Sequence, residues 1–326
     1  MSRWGAGVCV LRESDRVRAD FVNEVARILD IKRKDLIEKD LILHQILFDL
    51  SSDRFFTENV LFKGGTCLIK SYFGYLRFSE DIDFTWKDQR MFDGMSQKVI
   101  RAYLSRVIDN IGEIFEKIAK KRDMDFKCDK SNAEYIELGG SNKTCTFKIW
   151  YMSEVHKRRS FLKVQINFVE SMCFPPTVGE LRGLLSGEHE ELEALFPEYA
   201  EYTKKITFNI YDIREILSEK VRALLTREGT KARDFLDVYF ICRRLGIKLE
   251  DVEGCIVSKT NFAIDLYDKY RFNLKEKNAL LQSGKIFDWG KERDLLLSEI
   301  DDTDFYSFLN EFQVFLKKII KNMKQI

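Results

Sequence analysis

Proline and histidine are scarce in this chain: three of each in 326 residues. With 17 glycines, that composition excludes a low-complexity or proline-rich polymer. His44, His156 and His189 stand far apart, so neither histidine catalysis nor a histidine metal cluster is expected. The seven cysteines form no Cys-x-x-Cys pair, and their number is odd. That argues against a zinc site and for reduced thiols in a cytoplasm. No apolar run approaches the roughly 18 residues of a membrane span. The start, Met1-Ser2-Arg3-Trp4-Gly5, is not followed by the apolar core of a signal peptide. Net charge is +1, so no global field draws in nucleic acid, and any such contact must use local patches. What remains, with 45% hydrophobic and 33% charged residues, is a globular chain of one large or two modest domains.

Chemistry concentrates in two short stretches. Val60-Leu61-Phe62 is an apolar run ending at Lys63, followed by Gly64-Gly65 and then Thr66 to Phe73, which reads as a short helix closed by Gly74. A glycine pair lets the backbone approach a ligand closely, and its N–H groups with the next helix start suit an anion. Thr66 is placed to cap that helix. The same residues also describe a plain strand-to-helix turn. No Gly-Lys-Ser/Thr follows, so this is not a Walker A loop.

From Phe78 to Trp86 the residues alternate, with Ser79, Asp81, Asp83 and Thr85 on one side and Phe78, Ile82, Phe84 and Trp86 on the other. Period two marks a half-buried strand. Residues two apart on a strand lie about 6.5–7 Å apart, close enough for two carboxylates to converge on a hard cation. The alternative is an acidic pair at a strand end facing water.

A third stretch places a lysine in an apolar stripe. Ile213, Leu217, Lys220 and Leu224 follow helical spacing. A buried ammonium needs an anion, which a triphosphate or Asp234 or Asp237 would supply. Asp234 and Asp237 are three apart on the next helix, from about Lys231 to Leu245, and share a face.

Lys63-Gly64-Gly65-Thr66-x-Leu68 and then Arg77-Phe78-Ser79-x-Asp81-x-Asp83-Phe84 resemble the AbiEii/AbiGii toxin family of nucleotidyltransferases. These are toxins of type IV toxin–antitoxin and abortive-infection systems, within the DNA polymerase beta-like nucleotidyltransferase superfamily. Glu219-Lys220 and Arg233-Asp234-x-x-Asp237 resemble that family's later blocks, and the likeness covers roughly residues 55–245. It implies an α/β (α+β) fold with a small mixed sheet, flanked by N-terminal helices and a helical C-terminal region. It implies catalytic roles for Asp81, Asp83, Lys220 and Asp234, with Asp81 and Asp83 holding Mg2+ (or Mn2+). Gly64, Gly65, Thr66, Ser79 and Lys220 would bind a nucleoside triphosphate donor. It further implies an RNA acceptor such as tRNA and a cognate antitoxin encoded nearby. One departure stands out. The superfamily often carries a third carboxylate on a later strand, but Phe161–Phe168 offers Gln165 and Asn167 there. That speaks against a symmetric two-metal centre and leaves one tightly held metal, or a lysine that does part of the work. Transfer of AMP onto a protein, or regulation by nucleotide or RNA binding with reduced catalysis, are the alternative readings.

The expected organisation is an N-terminal helical segment over 1–52, a nucleotidyltransferase core over 53–175, and a mainly helical C-terminal domain over 176–326. Within the core, a helix from Ser96 to Lys121 should bury Val99, Tyr103, Val107, Ile111 and Ile114. Strands Thr144–Met152 and Phe161–Val169 should form a hairpin with a basic tip at His156–Arg159. Residues 177–209, with acidic Glu188–Glu193, read as a surface excursion after Pro175-Pro176. The last helix carries a stripe from Phe305 to Ile320 and a basic tail of Lys317, Lys318, Lys321 and Lys324.

Overall fold

The computed structural model describes residues 13–323 except 186 and 188. Met1–Gly5, Cys9, Glu188 and Lys324 lie outside the described residues. Three helices come first: α1 (Glu13–Leu29), α2 (Lys34–Ser51) and α3 (Arg54–Asn59). Strand β1 (Val60–Lys63) leads into α4 (Gly64–Cys67), which continues as one π-helical stretch to Phe73. Then come β2 (Asp81–Trp86), α5 (Gln97–Lys121), β3 (Ile136–Gly139), β4 (Thr144–Ser153), β5 (Arg158–Asn167), β6 (Thr177–Leu181), α6 (Glu190–Leu195) and β7 (Ile206–Ile210). The rest is helical, with α7 (Ile213–Thr226), α8 (Ala232–Leu245), α9 (Glu253–Leu266), α10 (Asp268–Gln282) and α11 (Asp302–Asn322).

The α/β class expected from the sequence is what forms. Seven strands make one mixed sheet in the order β3-β4-β5-β2-β1-β7-β6. Strand β2 lies near its middle, antiparallel to β1 and parallel to β5. The 177–209 stretch is therefore no excursion: β6 and β7 extend the sheet, with Phe62 of β1 in parallel register with Ile210. Local spacing carries no trace of that pairing, because the partner lies 148 residues away in sequence.

Period-two alternation decides which face is core. Ile82 and Phe84 of β2, Phe147 and Ile149 of β4, and Leu162, Val164 and Ile166 of β5 are all fully buried. Helices α3 and α5 cover this face, with Phe115 lying 4.9 Å from Phe147 and Phe56 4.8 Å from Phe84, centroid to centroid. Helix α5 starts where expected, with Ser96 accepting a hydrogen bond from Val99 N as its N-cap. Val107, Ile111 and Ile114 of the expected stripe are buried, and the departure is confined to its N-terminal end. Ile100, Leu104, Ile108, Ile111 and Phe115 point inward, while Val99 is 51% exposed and Tyr103 only half-buried. An N-cap at Ser96 leaves Val99 in the uncovered first turn.

The opposite face carries polar side chains, and the C-terminal helices stand over part of it. Helix α11 closes the fold with Phe305, Phe308, Leu309, Phe312, Phe315 and Ile319 buried. One covalent link departs from the expected reduced thiols: Cys173, just after β5, is disulfide-bonded to Cys255 of α9. The two are 82 residues apart, so spacing could not reveal the pair. Cys67, Cys128, Cys145 and Cys242 are free thiols. No described helix is long and apolar enough to cross a membrane.

Phe115→Ala should destabilise the fold by about 3–5 kcal/mol, because the ring joins α5 to both α3 and β4. Val99→Ala should change stability by less than about 0.5 kcal/mol. Urea denaturation of both variants checks the assignment of the buried face.

Candidate active site

Gly64 begins α4 at φ +77°, a region that favours glycine. A side chain there would also collide with the Asp83 carboxylate, and one at Gly65 would come within 2.7 Å of the Arg77 guanidinium. The glycine pair is thus needed because the turn lies directly against β2. Thr66 is not the cap expected of it, since the N-cap position falls at Lys63. Instead Thr66 is buried, donates to the Asp81 carbonyl and hydrogen-bonds Ser79 Oγ at 2.8 Å. It ties the turn to the acidic strand.

Asp81 and Asp83 share the open face of β2. In register, Asp81 stands beside Lys163, and Asp83 lies between Lys63 and Gln165. Among the described residues neither carboxylate has a cation within ion-pair distance, whereas the other acids of the cavity do. Burial raises the Asp83 carboxyl above its usual range, helped by Asp81 and Glu219 and opposed by Lys63 and Arg227. Two adjacent oxygen donors with uncompensated charge fit a hard divalent cation. Gln165, which is uncharged, is the register partner of Asp83 on β5.

Glu170 escaped the sequence reading, and Glu219 entered it only as part of the Glu219-Lys220 block, with no role of its own. Lys63 Nζ lies 2.8 Å from Glu219 and 3.0 Å from Glu170. Burial works against the Lys63 charge, but the two acids outweigh it and hold the group well above the usual lysine range. Glu215 in turn meets Lys259 of α9 at 2.6 Å. The available signal was Glu215 and Glu219, four apart on one face of the helix that carries Lys220.

Lys220 does find the aspartates. Its Nζ is 2.8 Å from Asp234 and 2.6 Å from Asp237. Asp237 also accepts two hydrogen bonds from Arg77 at 2.9 and 2.7 Å, and Asp234 accepts one from Arg227 at 3.2 Å. Burial alone would raise Asp234, but Lys220 and Arg227 hold it well below the carboxylate range. Asp234 is thus held between Lys220 and Arg227 as an ion-paired carboxylate. The network sets Arg77, Lys220 and Arg227 against two carboxylates, leaving one positive charge in excess. Burial also lowers Lys231, with Arg233 and Arg227 adding to the effect, so cations crowd this side.

These groups line one cavity of about 450 Å³. Gly64, Gly65, Ser79, Asp81, Asp83, Lys220 and Asp234 all border it, so the predicted residues converge except Thr66, which lies behind the wall. Phe262, Leu266, Tyr267 and Tyr270 make an apolar side. His44, His156 and His189 are absent from its lining.

Arg77→Ala should cost about 3–5 kcal/mol by leaving Asp237 buried with one partner. Because Asp237 is held low, chiefly by Arg77 and Lys220 against burial, its contribution is complete above about pH 4. It is lost as pH falls below that, so the gap between wild type and variant in urea denaturation should narrow from pH 6.5 to pH 3.

Two Helicobacter pylori crystal structures are among the similar folds. JHP933 is 16% identical, with a TM-score of 0.44, covering 88% of this chain and 94% of its own. A chain described as a "putative nucleotidyltransferase" is also 16% identical, with a TM-score of 0.39, covering 97% and 100%. At those scores neither carries an argument. No curated protein matches. The profile of the family described as "Nucleotidyl transferase AbiEii toxin, Type IV TA system" matches residues 45–317. The chain belongs to this family of type IV toxin–antitoxin nucleotidyltransferases.

Proposed function

We propose that this nucleotidyltransferase transfers a nucleotide from a nucleoside triphosphate to an RNA acceptor such as tRNA, in a magnesium-dependent reaction in the cytoplasm. The observation that carries the reading is charge placement. Among the described residues Asp81 and Asp83 have no cation within ion-pair distance, while the neighbouring Arg77–Asp237–Lys220–Asp234–Arg227 network has a cation in excess. A metal-bound triphosphate complements both.

Asp81 and Asp83 would hold the Mg2+ (or Mn2+). Bound there, the ion supplies charge neutralisation at the phosphates and orients the α-phosphate. The Gly64-Gly65 backbone and Ser79 face the β/γ-phosphates. Lys220, fixed by Asp234 and Asp237, meets charge that develops on the leaving pyrophosphate, the electrostatic contribution that dominates such transfers. Gln165 opposite Asp83 supports a single tightly held ion. Family membership supports an antitoxin as partner.

Incubation with Mg2+, each labelled triphosphate and total tRNA tests the reading. Label on RNA is expected. Label on protein alone would favour AMP transfer to a protein, and nucleotide binding without transfer would favour a regulatory role. Asp83→Asn should lower transfer by roughly three orders of magnitude while leaving thermal unfolding unchanged. Gly64→Ala should lower transfer as well, by displacing the Asp83 carboxylate, and should also lower the unfolding temperature, since alanine at φ +77° is strained. Since burial raises Asp83, the Mg2+ concentration for half-maximal rate should climb as pH drops through that raised value.

A further inference from the structure

The open face of the sheet continues beyond the catalytic cavity. Phe161, Lys163 and Gln165 of β5 share this face, and their register partners on β4 are Trp150, Lys148 and Thr146. On the other side of β5, Asp81 is level with Lys163. One uninterrupted row therefore runs from the acidic pair to the Trp150–Phe161 rings. Here it forms a second cavity of about 520 Å³, which meets the first at Asp81, Lys163 and Arg233.

Its far end is a platform of flat groups. The Trp150 and Phe161 rings are partly exposed, 4.6 Å apart between centroids. The Arg159 guanidinium lies 4.2 Å over Trp150 and is fixed by Asp125 and Glu134. The Trp150 indole N–H donates to the Glu134 carbonyl at 2.9 Å, which holds that ring in place. Arg158 and Lys163 are exposed, and among the described residues neither has a carboxylate within 4 Å. Outward rows of exposed strands usually carry small polar residues. Aromatic rings, a guanidinium plane and unpaired cations on a sheet are instead the chemistry that stacks unpaired bases and holds their phosphates.

Transfer itself requires a second approach. The acceptor oxygen bonds to the α-phosphorus while the bond to the β-phosphate oxygen breaks, pyrophosphate leaves, and the hydroxyl proton passes to solvent. Attacking and leaving oxygens are roughly in line. If the triphosphate fills the glycine and Lys220 side, the hydroxyl must arrive by another route to Asp81.

We propose that the Trp150–Phe161 groove seats a single-stranded RNA segment that carries the acceptor hydroxyl, with bases stacked on Trp150, Phe161 and Arg159 and phosphates at Arg158 and Lys163. This rests on the RNA-acceptor reading above. Duplex RNA, whose bases are already stacked, does not fit.

Steady-state transfer to tRNA at saturating triphosphate, with anisotropy of a labelled single-stranded oligonucleotide, tests the groove. Trp150→Ala and Phe161→Ala should each raise KM for RNA and the oligonucleotide Kd roughly tenfold. Triphosphate affinity should stay within about twofold, and Trp150→Phe should recover most of the loss, since a smaller ring still stacks. Arg158→Glu should flatten the slope of log affinity against log salt by about 0.7, one lost phosphate contact. An unlabelled single strand should compete and a duplex should not. Unchanged RNA KM and Kd in the ring variants, with wild type active on RNA, would overturn the groove and leave the RNA reading standing. So would equal losses of triphosphate and RNA affinity. Wild type that neither labels nor binds RNA would overturn both.

Discussion

Charges removed from water must be paired, and the architecture around the cavity follows from that requirement. Arg77 precedes the acidic strand and Asp237 belongs to α8, yet they form a two-point ion pair with both side chains buried. Lys220 joins them, and Lys63 with Glu170 and Glu219 repeats the arrangement at the end of β1. These contacts hold the C-terminal helices over the sheet at a fixed height. Apolar packing alone would allow sliding, whereas a guanidinium fork on a carboxylate does not.

The sheet divides labour by parity. Even positions of β2 and those from Leu162 to Ile166 of β5 build the core against α3 and α5, while odd positions of both strands carry mostly acids, amides, cations and rings. A side-chain change on one face therefore leaves the other largely undisturbed. A slip of one residue in register would bury Asp81 and Asp83 in the core and expose Ile82 and Phe84. The full burial of those two residues is thus part of what keeps the acidic pair at the cavity.

What was legible in the sequence was local. Alternation from Phe78 to Trp86 gave the faces of β2, and helical spacing set Lys220 among apolar neighbours. The family resemblance pointed to β5 as the strand of a third carboxylate, and alternation put the uncharged Gln165 and Asn167 on its open face. What was hidden was long-range. The parallel pairing of β1 with β7, the Cys173–Cys255 bond and the Lys63–Glu219 contact join segments 82 to 156 residues apart. Thr66 was misread because its hydroxyl serves the neighbouring strand, which a propensity argument cannot see. The first turn of α5 was misread because helical period alone does not say which neighbour covers which residue.

The order of synthesis adds a consequence. The acidic strand is complete by residue 86, with Lys63 and Arg77 before it, but Lys220, Arg227 and the aspartates that hold them arrive only with α7 and α8, beyond residue 213. Strand β7, which flanks β1, also emerges only at 206–210. A ribosome-tethered chain that ends before α7 can present Asp81 and Asp83 but no Lys220 network. The Lys220 network assembles only when about three-quarters of the chain has left the ribosome, so the growing polypeptide lacks it during most of its synthesis.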